Sequence, residues 1–261
     1  MRTRIITAAL FIPVTLLLLL YSPLIAWISL AAIAVISLLE LRSMFSRIEL
    51  TLVMPLLLIY AGANLLIHPD HWDLPFFIAT LAAYLLSIFC YAVLHYPGFS
   101  FGSLGANVVA AIYPLPLILC AIQLRFGGEG HLAVLLALML TWGYDSFAFF
   151  GGSFWGRHFI FPELSPKKSA EGVFCGLLGS IVAEALFRYF LSLPIPLPFG
   201  LLAILAGLMA QIGDLIASLL KRYAGVKDSG NLFPGHGGIL DRFDAFFCVV
   251  SLVTLVFYLG G

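Results

Sequence analysis

The sequence predicts an all-α integral membrane protein, a polytopic bundle of about nine transmembrane helices. Three observations support this fold class: 62% of the 261 residues are hydrophobic, only 10% are charged, and long apolar stretches recur along the chain. Soluble domains contain roughly a quarter charged residues, so a globular fold would leave too much apolar surface outside its core. The 13 basic and 13 acidic residues give no net charge, which argues against a nucleic-acid partner.

Each predicted span contains about 20 mostly apolar residues, the number that a helix needs to cross a bilayer. In chain order the spans cover residues 5–21, 23–40, 51–68, 74–95, 103–124, 131–150, 172–193, 197–220 and 240–259. The first span resembles a signal peptide but lacks a small-residue cleavage site, so we expect a retained helix. We divide the bundle into scaffold helices over residues 1–130 and catalytic helices with their loops over residues 131–261.

The basic residues are distributed very unequally between the two sides of this bundle. Eleven lie at the amino terminus or in loops that follow even-numbered spans, and only two lie on the opposite side. Lys and Arg concentrate on the cytoplasmic side of membrane proteins. The sequence therefore predicts a protein of the cell (inner) membrane, with the amino terminus and the two longest loops in the cytoplasm.

Four aspartates from different parts of the chain are predicted to lie near this cytoplasmic face. Asp145 lies near the cytoplasmic end of span six and Asp214 lies in span eight, while Asp241 and Asp244 share the first turn of span nine. A central Asp costs ~2.5–3.5 kcal/mol on insertion scales, so each is a functional candidate. Structural explanations remain open, because an aspartate can complement a helix N-terminus or bond to a neighbouring helix. The convergence of all four favours a shared site.

Two glutamates have simpler interpretations. Glu184 lies four residues before Arg188, a spacing that favours an ion pair along one helix. Glu40 ends span two next to Arg42 and is interpreted as part of a solvated loop.

The loop between spans six and seven contains a lysine pair. Ser165 and Pro166 are typical of a helix N-cap followed by the first helical residue. This interpretation places Lys167 and Lys168 in the first turn, where the helix dipole disfavours cations. Two lysines beside free N–H groups favour a multiply charged anion such as phosphate, although the positive-inside bias alone would also place lysines here. Arg157 adds a third cation.

The loop between spans eight and nine is the densest polar segment, with four basic residues in the 27 residues from Ser218 to Asp244. Gly237 and Gly238 follow His236 and would let the backbone approach a ligand and present its amides to an anion. Carboxylates beside phosphate-binding cations indicate Mg²⁺ that bridges carboxylate and phosphate oxygens.

This segment resembles the signature of the phosphatidate cytidylyltransferases, also called CDP-diacylglycerol synthases. The matching positions are Ser218, Lys221, Arg222, Lys227, Asp228, Gly230, Pro234, His236, Gly237, Gly238, Asp241, Arg242 and Asp244. Upstream, Asp145 with Gly156-Arg157 and the run from Ser165 to Gly172 resemble two further segments of the family. Ser169 stands where the family usually has Thr. The resemblance covers about residues 140–250.

The resemblance implies transfer of a cytidylyl group from CTP to phosphatidate, giving CDP-diacylglycerol and pyrophosphate. With the charges above, it implies Mg²⁺-dependent electrostatic catalysis in which Asp214 and Asp241 are the main metal ligands. Asp145 and Asp244 are further ligands or support them, and four acids would also suit a second ion. The predicted catalytic residues are Asp214, Asp241, Asp244, Lys227 and Asp145. The predicted substrate-binding residues are Lys167, Lys168, Ser169, Ser218, Lys221, Arg222, His236, Gly237, Gly238, Arg242 and Arg157.

Two other functions remain open from the sequence. A CTP-dependent lipid kinase acting on a polyprenol-type alcohol would need a base for its hydroxyl nucleophile and agrees less well with the signature. A cation-coupled transporter would also bury aspartates, but transporters usually place them near the midplane between repeated halves. The expected partners are CTP, phosphatidate and the lipid bilayer, and the sequence leaves the oligomeric state, including a homodimer, open.

Overall fold

The structure is a computed structural model that describes residues 12–66, 74–191, 193–232 and 237–260. We number its helices in chain order, beginning with α1 at residues 12–20. The others are α2 (Pro23–Ser46), α3 (Met54–Leu65), α4 (Leu74–Leu94), α5 (Phe101–Ile112), α6 (Leu115–Phe126), α7 (Gly130–Trp155), α8 (Ala170–Phe190), α9 (Leu201–Tyr223) and α10 (Leu240–Gly260).

The predicted fold class is confirmed. In the described ranges, seven helical stretches are long and apolar enough to cross a membrane, and an isolated strand-like bridge joins Phe159 and Ser169. The predicted number of nine spans is approximate. Part of the first predicted span lies outside the described residues, and α3 has only 12 residues, or ~18 Å of helix against a hydrocarbon core of ~30 Å.

The predicted fifth span is broken into α5 and α6. Tyr113, between the two helices, has an extended backbone with φ −146° and ψ 121°. Pro114 causes the break because it has no N–H to continue the helix and disfavours the helical conformation of the residue before it.

The connection between α2 and α3 obtains its hydrogen bonds from side chains of α5. Val53 N donates to Asn107 Oδ1 at 2.9 Å, and Asn107 Nδ2 donates to Thr51 O at 2.8 Å. Ser103 Oγ accepts from Thr51 N at 3.0 Å. Asn107 is fully buried. Non-helical backbone in an apolar environment must find such partners within the protein. The Asn107 side chain therefore supplies the donor and the acceptor that a paired backbone segment would supply elsewhere.

Glu184 and Arg188 form the predicted ion pair along α8, with Arg188 Nε 2.8 Å from Glu184 Oε1. Glu184 also accepts hydrogen bonds from Gly200 N at 3.2 Å and Ala203 N at 3.1 Å, at the start of α9. The structural interpretation of Glu184 is therefore confirmed, because the carboxylate satisfies N–H groups that an α-helix leaves unpaired.

α10 lies at the centre of the bundle, where it packs against α6, α7 and α9. Phe247, Val249 and Val250 are fully buried there. Thr254 Oγ1 donates to Cys120 O of α6 at 3.0 Å, so a contact crosses the division that we predict at residue 130. This central position places the first turn of α10, with its two aspartates, among the ends of its neighbours.

We predict that Asn107→Ala lowers the free energy of unfolding by about 1–3 kcal/mol, because Val53 N–H becomes a buried donor without a partner and Thr51 C=O loses its hydrogen bond. The measurement is unfolding of the purified protein in detergent micelles. Ser87→Ala on α4 is the matched control, since that exposed hydroxyl bonds only to Ala83 O in its own helix. Equal stability of the two variants would contradict this account of the α2–α3 connection.

Candidate active site

A cavity of about 530 Å³ opens where α7, α9 and α10 meet the segment before α8. Eight of the predicted site residues line it: Asp145, Lys167, Lys168, Ser169, Asp214, Asp241, Arg242 and Asp244. The structure therefore brings together four carboxylates and three cations from separate parts of the chain, at the end of the bundle that the sequence predicts to be cytoplasmic.

Close packing of α9 against α10 places Asp214 beside Asp244. A Cβ at Gly213 would overlap Asp244 O, so only glycine lets the two backbones approach so closely. Asp244 is 8% exposed. Asp214 interacts electrostatically with Asp244 and with Asp145 of α7, so the three carboxylates are close enough to repel one another.

These three carboxylates keep oxygens that have no hydrogen bond among the described residues. Asp145 has no hydrogen-bond or ion-pair partner there, and Asp244 accepts only from the adjacent Ala245 N, at 2.9 Å. Asp214 Oδ2 accepts from Lys168 Nζ at 2.8 Å. Oxygen atoms of this kind are available to a cation or to a donor group of a ligand.

The segment before α8 differs from the prediction. The N-cap is Ser169, whose Oγ accepts from Gly172 N at 3.2 Å, and not Ser165. Residues 158–170 form a small hairpin, with hydrogen bonds from Ile160 N to Lys168 O at 3.1 Å and from Ala170 N to His158 O at 2.9 Å. This pairing requires extended backbone at Ser169, which has φ −115° and ψ 156°, so the helix cannot begin earlier.

The lysine pair consequently lies outside the first turn of α8, and the predicted conflict with the helix dipole was wrong. Lys168 is held by Asp214. Lys167 is exposed, lines the cavity and has no hydrogen-bond or ion-pair partner among the described residues. The ends of the segment are fixed by Glu171, which accepts from Arg157 N at 3.1 Å and from His158 Nδ1.

Asp241 organises the loop between α9 and α10. Its Oδ1 pairs with Lys221 Nζ. Its Oδ2 accepts from Ser229 N at 2.7 Å, Ser229 Oγ at 3.0 Å and Gly238 N at 3.0 Å. Both oxygens of this predicted metal ligand are therefore engaged by the protein, unlike those of the other three aspartates.

Glu40 reaches the same loop from α2. It is 8% exposed and accepts hydrogen bonds from Ser229 Oγ at 2.7 Å, Ile239 N at 2.7 Å and Leu240 N at 3.0 Å. Its interpretation as part of a solvated loop was wrong, because α2 continues to Ser46 and carries the side chain into the bundle. The available signal was a carboxylate within an apolar run of leucines.

The predicted cluster of loop amides exists, but it binds the protein's own carboxylates. Gly238, Ile239 and Leu240 donate their N–H groups to Asp241 or Glu40. Gly237 has φ 79°, a conformation that favours glycine. A Cβ at Gly238 would overlap Glu40 Oε1 and Ser229 Oγ. Both glycines therefore let the loop backbone approach Glu40 and Asp241, and their predicted approach to a ligand stays a prediction.

The remaining predicted residues that the structure describes do not line the cavity. Arg222 Nε donates to Leu164 O at 3.3 Å and so connects the end of α9 to the segment before α8. Arg157 and Lys227 are exposed, and Ser218 is half-buried one turn beyond Asp214. His236 lies outside the described residues.

Sequence reasoning missed Gln211 and Tyr144, which line the cavity and are joined by a 2.7 Å hydrogen bond.

Comparison with known proteins connects this site to one chemistry. The sequence model of the cytidylyltransferase family matches residues 2–259. The chain is similar to the phosphatidate cytidylyltransferase of Staphylococcus aureus, with 33% identity over 261 residues that cover 98% of each protein. It is also 39% identical over 171 residues to that of Bacillus subtilis, covering 65% of this chain and 64% of the relative.

We predict that Gly238→Ala destabilises the protein by about 1–3 kcal/mol, because the added methyl group forces Glu40 or Ser229 out of its place. Gly105→Ala is the matched control, because a Cβ there meets nothing within 4 Å. It removes a glycine from the middle of α5 and should stabilise the protein by about 0.5–1 kcal/mol. Thermal unfolding of both variants measures these opposite signs. Stabilisation by both substitutions would contradict the described packing of the loop.

Proposed function

The chain belongs to the cytidylyltransferase family, and on this premise we propose that it transfers a cytidylyl group from CTP to phosphatidate. The observation that carries the proposal is the cavity lined by four carboxylates, two lysines and an arginine at one end of the membrane helices. The names of the similar phosphatidate cytidylyltransferases support the choice of lipid substrate.

The proposed reaction joins two polyanions. An oxygen of the phosphatidate phosphate forms a bond to the α-phosphorus of CTP. The bond from the α-phosphorus to the bridging oxygen breaks, and pyrophosphate leaves with the electron pair. The attacking oxygen is already anionic at neutral pH, so the reaction needs no general base. Catalysis must come from positioning and charge neutralisation.

The cations of the cavity supply part of this neutralisation. Lys167 is exposed at the cavity and is available to CTP phosphates, while Lys168 lies against Asp214 and exchanges that partner for a phosphate when substrate binds. Arg242 lines the same cavity and interacts electrostatically with Asp145. Lys221 pairs with Asp241 and so fixes the loop between α9 and α10, whereas Arg222 donates to Leu164 O and so fixes the segment before α8.

The carboxylates fit Mg²⁺, which prefers oxygen ligands and usually binds through one or two carboxylates together with substrate phosphates. No three His, Cys, Asp or Glu side chains within the described ranges are close enough to hold an ion by themselves. This spacing suits an ion that arrives with the nucleotide. We assign Asp145, Asp214 and Asp244 to hold it jointly with the phosphates of the nucleotide, and Asp241 to anchor the loop. Bound Mg²⁺ would neutralise phosphate charge in the transition state.

The orientation in the membrane follows from the charge distribution. Eleven of the 13 basic residues lie on the predicted cytoplasmic side, and the cavity opens among the helix ends on that side. A site at this interface is open to CTP from the cytoplasm and to phosphatidate from the membrane. We therefore propose that the active site faces the cytoplasm.

We predict that the purified protein, with Mg²⁺, releases pyrophosphate from CTP only when phosphatidate is present, and forms CDP-diacylglycerol in equal amount. Asp214→Asn should lower kcat by about 10²–10³-fold, the loss typical of removing one electrostatic contact to the transition state. Glu163→Gln, at an exposed position before α8, is the matched control and should keep full activity. The measurement is coupled detection of pyrophosphate together with lipid analysis.

Three outcomes would count against the proposal. Formation of CDP with a phosphorylated alcohol would indicate a lipid kinase. Ion-driven uptake without CTP turnover would indicate a transporter. Full activity of folded Asp214→Asn would move the reaction away from this cavity.

A further inference from the structure

Gln211 has a buried side-chain nitrogen without a partner. The residue lies on α9, is 8% exposed and lines the cavity with Asp214. Its Nε2 makes no hydrogen bond with any described residue. An unpaired buried donor costs about 1–3 kcal/mol. Such a group at the wall of a substrate cavity indicates a partner that the substrate supplies.

Tyr144 fixes which atoms of this amide are available. Its hydroxyl donates to Gln211 Oε1 at 2.7 Å, and the tyrosine is only 1% exposed. The ring is held by α8 and α9, where a Cβ at Gly176 would lie 2.6 Å from the ring atom Cε2 and one at Gly207 would lie 3.0 Å from Cδ2. The hydrogen bond from Tyr144 orients the amide and leaves Nε2, an N–H donor, as the atom that no described residue pairs. The missing partner is therefore a hydrogen-bond acceptor.

The depth of Gln211 indicates which substrate carries that acceptor. Gln211 precedes Asp214 by three residues and Tyr223, at the end of α9, by twelve. It therefore lies ~4.5 Å deeper than Asp214 and ~18 Å from the helix end. If phosphates meet Asp214 and Lys168, the group one turn deeper in the membrane is the glycerol part of the lipid. Its ester carbonyls are acceptors and carry no donor.

We infer that Gln211 is a specificity-determining residue that donates a hydrogen bond from Nε2 to an ester carbonyl of phosphatidate. This inference rests on the proposed function. Tyr144 is a positioning residue, which acts by holding the amide in the orientation that presents its nitrogen.

The test compares ester-linked phosphatidate with its dialkyl ether analogue of equal chain length, which lacks both carbonyls. The wild-type enzyme should prefer the ester by about fivefold to tenfold in kcat/KM, the value of one hydrogen bond. Gln211→Met keeps an unbranched side chain without the amide, so it should abolish this preference. It should raise KM for the ester lipid and leave KM for CTP unchanged.

Two further variants complete the design. Tyr144→Phe frees the amide to rotate and should reduce the ester preference without abolishing it, which gives a second readout if Gln211→Met does not fold. Leu208→Met, on the exposed side of α9, should retain the preference.

A retained ester preference in folded Gln211→Met would overturn the inference, as would a raised KM for CTP with an unchanged KM for phosphatidate. If Gln211→Met does not fold, an unchanged preference in Tyr144→Phe would overturn it. Failure of the proposed function would give a different result, because the wild-type protein would then turn over neither lipid with CTP.

Discussion

Two buried carboxylates hold the loop between α9 and α10, and the cavity depends on this arrangement. Glu40 and Asp241 together accept the N–H groups of Ser229, Gly238, Ile239 and Leu240. Buried charges are costly unless such donors surround them, and a loop without regular structure needs acceptors for its amides. The carboxylates therefore supply the acceptors that the loop amides need, and the amides supply the donors that the carboxylates need. The contacts determine where α10 begins, and so place Asp244 beside Asp214.

The same constraint appears wherever the backbone leaves helical structure in this bundle. Asn107 pairs with the connection between α2 and α3, and Glu184 receives amides at the start of α9. Arg125 Nε donates to Leu19 O at 2.8 Å near the end of α1. In an apolar surrounding, water cannot supply these hydrogen bonds. Most buried polar residues in the described ranges therefore bond to the backbone, whereas Asp145, Asp214 and Asp244 keep oxygens that no described residue engages.

The sequence was sufficient to predict the features that depend on amino-acid composition, hydrophobic periodicity and local motifs. Hydrophobicity predicted the membrane bundle, and four costly aspartates predicted a common site that the structure assembles. It was insufficient where distant segments meet. Ser169 became the N-cap because residues 160 and 168 pair across a hairpin. Glu40 contacts residues about 190–200 positions away in the chain. No local pattern encodes such a partner.

The most direct test of this account is hydrogen–deuterium exchange of the loop amides in the purified protein. If the carboxylates hold the loop, the amides of Ser229, Gly238, Ile239 and Leu240 are protected in the wild-type protein. Glu40→Gln, which replaces one acceptor oxygen by a donor, should raise the exchange of Ile239 and Leu240 at least tenfold, the effect of about 1.4 kcal/mol, while the helical amides of α7 remain protected. Rapid exchange of these amides in the wild-type protein, or unchanged protection in Glu40→Gln, would contradict it.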